Sequence, residues 1–120
     1  MPRVMHFEIP SANPDQSMAF YADVFGWSFQ RFGADDYWMC KTGDTGEPGI
    51  DGAIMLRRDP SQPVVNSIIV DSVDQFSDRI TNAGGNMVVP KTPIGDVGFV
   101  SYFKDVDGNI FGIAEFCSRL

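Results

Sequence analysis

Val4-Met5-His6-Phe7-Glu8-Ile9 alternates in side-chain character before Pro10, a period-two pattern that predicts a strand. Asn13-Pro14 follows as a cap residue with proline at the first helical position, and Met18, Tyr21, Ala22 and Phe25 then recur at helical spacing up to Gly26. Residues 27–32, 37–41 and 50–57 read as three further strands, divided by the turn-rich segments 33–36 and 42–49. The first half is therefore β-α-β-β-β. Beyond the proline-punctuated segment 58–63, residues 64–70 form a strand. Ser72 then caps a helix with Val73, Phe76, Ile80 and Ala83 on one face, and Gly84-Gly85 closes it. Residues 86–89, 98–103 and 110–116 complete the set, the last two joined through the Asp-Gly turn signal of Asp105-Val106-Asp107-Gly108. The second half repeats the order of the first.

Two short matches suggest that the repeat is a duplication. Asp15-Gln16 recurs as Asp74-Gln75, 59 positions on, and Gly52-Ala53-Ile54-Met55 faces Gly112-Ile113-Ala114-Glu115, 60 positions on. The alternative is an unduplicated α+β domain with the same eight strands and two helices. The predicted fold is α+β: two tandem βαβββ modules in a curved, cup-like mixed sheet with a helix behind each module. Module 1 spans about residues 1–58, a linker 59–63 and module 2 64–120 of one domain. A sheet covered by a helix on one face leaves the other face open, and two such faces can curve into a ligand cup.

Length and composition narrow the function. The 120 residues amount to one core, and 43% hydrophobic with 21% charged residues is ordinary globular usage. Nine Lys and Arg against sixteen Asp and Glu give a net charge of −7, with only Arg57-Arg58 adjacent, so nucleic acid and anionic membrane surfaces are not expected partners. No run approaches the roughly 18 apolar residues of a membrane span, and the opening segment lacks the apolar core of a signal peptide, so the expected location is cytoplasmic. Cys40 and Cys117 match no CxxC motif and are expected to be reduced, packed thiols.

Three segments carry a resemblance. The opening strand His6-Phe7-Glu8-Ile9-Pro10, the segment from Ser17 through Phe20-Tyr21-Ala22-Asp23-Val24-Phe25-Gly26-Trp27, and Asp105-Val106-Asp107-Gly108-Asn109-Ile110-Phe111-Gly112 together resemble the vicinal oxygen chelate superfamily of glyoxalase I, bleomycin-resistance proteins and extradiol dioxygenases. The resemblance covers essentially the whole chain. It implies a divalent metal in the cup, held by His or Gln from each opening strand and Glu from each closing strand. His6 matches the first of those slots. Val65-Asn66-Ser67-Ile68 supplies no counterpart, and the closing-strand slots fall on Gly112 and, by the 60-residue offset, Gly52. Glu115 is an odd number of residues from Gly112 and is expected on the opposite face. The expectation is therefore no metal cofactor, since catalytic sites use three or more protein ligands.

His6, the only histidine, shares a strand face with Glu8. The two could form an acid–base pair in which the carboxylate raises the imidazole pKa, or simply satisfy each other in the sheet. Tyr37, Phe99 and Tyr102, with Gly52 and Gly112 as side-chain-free floor positions, are candidate ligand-binding residues; core packing is the alternative for the aromatics. The 42–49 loop reads as a solvated turn or a flap. A small-molecule-binding protein of the glyoxalase/bleomycin-resistance type is the expected function. The alternative is a lyase, isomerase or dioxygenase-like enzyme acting on a small carbonyl or hydroxy compound through His6 and Glu8. A homodimer is expected, because members of this fold commonly pair.

Overall fold

The computed structural model describes residues 2–116, and Cys117 lies outside them. Its elements are β1 (Arg3–Ser11), α1 (Pro14–Phe25), β2 (Ser28–Arg31), β3 (Tyr37–Lys41), β4 (Gly52–Leu56), β5 (Val65–Ile69), α2 (Val73–Asn82), β6 (Asn86–Ile94), β7 (Gly98–Lys104) and β8 (Ile110–Phe116). This is βαβββ twice over, an α+β fold. Two compact units divide between residues 64 and 65, with the opening residues of β1 grouped with the second unit.

In the first module the strands lie in the order β2-β3-β4-β1, with β1 and β4 parallel and the other neighbours antiparallel. The second repeats it as β6-β7-β8-β5, with β5 and β8 parallel. The helix is what lets the first and last strands of each module pair in parallel.

Both helices start where the capping signals predict. The Asn13 side chain accepts from the Gln16 N–H at 3.2 Å and the Ser72 hydroxyl from the Gln75 N–H at 3.1 Å. Gly26 ends α1 at φ +75°, a left-handed conformation that glycine adopts without the Cβ penalty. Two strands outrun their predicted ends. β1 continues through Pro10 to Ser11, and β6 continues through Pro90 and Pro93 to Ile94. β6 is the outer strand of its module and its pairing with β7 shifts register twice, which accommodates prolines that cannot donate to a ladder.

The second module has the denser core. Val70, Val73, Phe103 and Ile113 are buried together, with Ile68, Phe76, Ile80, Phe99 and Phe111 packed against them. Glu115 completes the seating of α2, accepting from the Val73 N–H at 2.8 Å, where the helix dipole also favours a negative charge. In the first module α1 has no fully buried residue and packs through aromatic rings. Tyr21 stacks on Trp27 at 4.8 Å, and Trp27 meets Phe7 of β1 at 5.8 Å. Cys40 is buried beneath this layer as a free thiol, and burial, reinforced by Asp51, pushes its pKa up to about 11. It is protonated and unreactive at neutral pH. No helix among the described residues is long and apolar enough to cross a membrane.

Candidate functional site

Strand register sorts the candidate residues onto faces. Glu8 pairs with Ala53, Met39 with Ala53 and Tyr37 with Met55, so period-two alternation puts His6, Glu8, Tyr37, Met39, Ala53 and Met55 on one face of the first module. Phe7, Ile9, Cys40, Gly52 and Ile54 take the other, where Phe7 meets Trp27 behind α1. The first face is the module's open one.

On it three side chains form a hydrogen-bonded chain. The Tyr37 hydroxyl donates to Glu8 Oε2 at 2.6 Å and lies 2.8 Å from His6 Nε2. Phe32 stands edge-on to the Tyr37 ring at 6.2 Å. Glu8 is only 6% exposed, so the Tyr37 hydroxyl offsets part of the cost of burying its carboxyl. His6 and Glu8 were expected to bond directly; instead Tyr37 stands between them. Side chains at i and i+2 of a strand are parallel and about 6.6 Å apart, two rises of about 3.3 Å, too far for a direct bond without distortion. Tyr37 reaches them from β3 across β4, and the small side chain of Ala53 on the intervening strand leaves it room. The expected direction of the imidazole shift is also reversed. Burial lowers the His6 pKa below its ordinary 6.5, and the Glu8 charge opposes this only in part.

In the second module Tyr102 pairs with Gly112, which pairs in turn with Ser67, and these three share the open face. A Cβ on Gly112 would stand 3.1 Å from the Tyr102 ring and 3.0 Å from Ser67 Oγ, so the glycine leaves space for the tyrosine. Two candidates fall on the wrong face for a shared ligand surface. Phe99 is an odd number of residues from Tyr102 and packs against the α2 core, under the Lys91 ammonium at 4.4 Å. Gly52 faces the helix side, where a Cβ would meet the Phe7 ring and carbonyl at 2.5 Å. The misplacement of Gly52 follows from a one-residue slip in the repeat. Ile9 pairs with Ile54 and Ile68 with Ile113, so the opening and closing strands of the two modules correspond at an offset of 59, and the counterpart of Gly112 is Ala53. A slip of one residue in a strand reverses the face of every side chain.

The corrected register tests the metal centre that the resemblance implies. The counterparts of His6 and Glu8 in β5 are Val65 and Ser67, and the closing strands present Ala53 and Gly112. His6 Nε2 is committed to Tyr37. Glu115 is on the helix side, capping α2, as its spacing from Gly112 implies. Among the described residues no three His, Cys, Asp or Glu side chains gather closely enough to hold an ion. The described residues at these slots do not supply the ligands of a divalent metal.

Elsewhere, the 42–49 loop is closed on itself by Thr42 bonds to Asp51 and Ile50 and by Glu47 accepting from the Asp44 N–H. An open recess of about 470 Å³ lies at the start of α1 between Ser11, Asn13, Phe20 and Arg57, whose guanidinium donates to the Pro10 carbonyl at 2.9 Å.

Residues 3–113 match the sequence model of the Glyoxalase/Bleomycin resistance protein/Dioxygenase superfamily. The chain belongs to this superfamily. Among curated proteins it is 30% identical over 106 residues to "Putative glyoxylase CFP32" of Mycobacterium tuberculosis and of Mycobacterium bovis, a match covering 82% of this chain and 41% of each relative. The chain thus spans about two fifths of the length of the curated relatives it matches. Solved structures of the superfamily's fold superpose over nearly the whole chain. A hypothetical protein of Bacillus halodurans gives a TM-score of 0.71 at 10% identity, covering 99% of this chain and 97% of that one. A Streptomyces coelicolor methylmalonyl-CoA epimerase variant in complex with 2-nitronate-propionyl-CoA gives 0.70 at 14% identity, covering 97% and 98%. The methylmalonyl-CoA epimerase of Mycobacterium tuberculosis gives 0.65 at 15% identity, covering 95% and 87%. At these identities the likeness shows the fold alone.

The bridge through Tyr37 was not anticipated, although Tyr37 itself was a candidate for contacting a ligand. Its sequence signal is faint: a tyrosine in register to share the open face, with alanine on the strand between.

Proposed function

We propose that this superfamily member binds a small organic molecule on the open face of its first module without a divalent metal. The observation that carries the reading is the His6–Tyr37–Glu8 chain. It is a connected polar group that shares its face with Met39, Ala53 and Met55, and its imidazole Nε2 is bonded to the Tyr37 hydroxyl. Apolar surroundings with a few convergent polar groups are the usual make-up of a small-molecule site. On this reading the protein is cytoplasmic and forms a homodimer. The dimer is supported by α1, whose Phe20, Val24 and Phe25 are each more than half exposed.

The same bridge supports a second reading, a lyase or isomerase acting on a small carbonyl or hydroxy compound. A buried carboxylate linked through a hydroxyl to an imidazole can hold or move a proton at His6. Several solved relatives are epimerases of methylmalonyl-CoA, an acyl thioester, which fits that substrate class.

A thermal-shift screen on chelator-treated protein tests the first reading. A ligand at about 100 times its Kd should stabilise the metal-free protein by about 2.7 kcal/mol. Near-stoichiometric metal in untreated protein, with ligand binding confined to the loaded form, would overturn it. His6→Gln then separates the two readings. A binder should lose no more than about 1–1.5 kcal/mol of affinity, the net value of one hydrogen bond. An enzyme should keep binding while turnover falls roughly 10²–10⁴-fold.

A further inference from the structure

The hydrogen-bond chain has a direction. A tyrosine hydroxyl carries one proton, and Tyr37 gives it to Glu8, which is buried within β1 and accepts at 2.6 Å. The lone pairs of the same oxygen then face His6 Nε2 at 2.8 Å, so the contact holds only if that nitrogen carries hydrogen. A neutral imidazole has one N–H, which leaves Nδ1 as an acceptor. The His6 ring forms no other hydrogen bond among the described residues. Its half-buried ring favours the neutral form.

We propose, building on the open-face ligand site, that Tyr37 is a positioning residue. Its hydroxyl, oriented by Glu8, fixes His6 in the Nε2–H tautomer, so Nδ1 presents a lone pair and the site selects ligands carrying a neutral hydroxyl or N–H donor. A carbonyl or carboxylate oxygen at Nδ1 would set lone pair against lone pair, and an anion would also meet the Glu8 carboxylate in a chain of net charge −7. Met39 and Met55 on the same face suit an apolar body behind the donor. The ligand class is an apolar molecule with one neutral hydroxyl or N–H group, for which phenol is the simplest probe.

Nitrogen-15 NMR of the imidazole tests this directly, because the chain has a single histidine and gives one pair of ring nitrogens. At neutral pH the wild type should show a protonated Nε2 and an unprotonated Nδ1. Tyr37→Phe should move both shifts toward the average of a tautomer mixture. An Nδ1–H ring in the wild type, or unchanged tautomers in a folded Tyr37→Phe, would overturn the positioning role. If that variant fails to fold, the wild-type tautomer decides alone. Phenol should displace the Nδ1 resonance and bind roughly tenfold more tightly than anisole, which has the same ring without the donor. Equal responses to the two would overturn the donor selectivity. Phenol shifts confined to amides away from β1 and β3 would instead overturn the open-face site and leave the tautomer assignment standing.

Discussion

The two modules are built on one plan, with the same strand order and a 59-residue correspondence between their opening and closing strands, yet they use it differently. On the helix side of the second module, Phe103 pairs with Phe111. The corresponding pair in the first is Cys40 with Gly52, and the volume those small residues leave is filled from the opening strand by Phe7, whose counterpart at the same offset is Asn66. An aromatic ring has moved from the closing strand to the opening strand with the backbone pairing unchanged. On the open side the difference reverses. The first module carries the buried Glu8 and its partners, while the second has Ser67 and Gly112 beneath Tyr102. A repeated scaffold tolerates redistribution of volume between neighbouring strands provided the total is kept. In this chain that tolerance leaves one module with the denser core and the other with the polar chain.

The sharpest way to break this comparison is to remove the equivalent core side chains. Phe103→Ala should lower stability by about 3–5 kcal/mol, whereas Cys40→Ala should cost about 1 kcal/mol, both read from urea unfolding. Similar losses would mean that the two cores are equally loaded and that the contrast is superficial.

A smaller effect separates the two glycines. Gly52→Ala drives a Cβ into the Phe7 ring and carbonyl at 2.5 Å and should cost about 1–3 kcal/mol. In Gly112→Ala the nearest atoms are the Ser67 hydroxyl at 3.0 Å and the edge of the Tyr102 ring at 3.1 Å, and a shift of a few tenths of an ångström relieves both. That variant should be clearly the more stable of the two, with its change concentrated in the Tyr102 side-chain resonances. The reverse order would refute the assignment of Gly52 to the packed face.

The smallest expected effect concerns pH. Burial lowers the His6 pKa in the folded state, so the unfolded chain takes up the proton first as pH falls. His6 therefore contributes stability that is fully present above about pH 6.5, the unfolded value, and is lost as pH drops from there through the lowered folded value. His6→Gln should flatten that part of the profile relative to wild type. A wild-type profile whose stability rises over the same interval on acidification would show that Glu8 outweighs burial after all.

Element order, both helix caps, the Gly26 helix end and the Asp-Gly turn were legible in the chain because each depends on residues within a few positions of one another. The opposite placement of Glu115 from Gly112 was legible for the same reason, since alternation along one strand needs no partner. Phe99 and Tyr102, three residues apart on one strand, could have been separated by that rule too. What the chain could not reveal depended on partners distant in sequence. β6 continues through two prolines because it is an outer strand, which only the sheet order shows. The repeat offset at the closing strand is 59 because Ile9 pairs with Ile54 and Ile68 with Ile113, and similar dipeptides had suggested 60. The sequence by itself determined the fold class and the repeat, both matters of local pattern and residue type. Only the tertiary structure decided that Tyr37, 29 residues from Glu8, reaches over Ala53 to join it to His6. That contact depends on register across three strands and on the small volume of the residue between them.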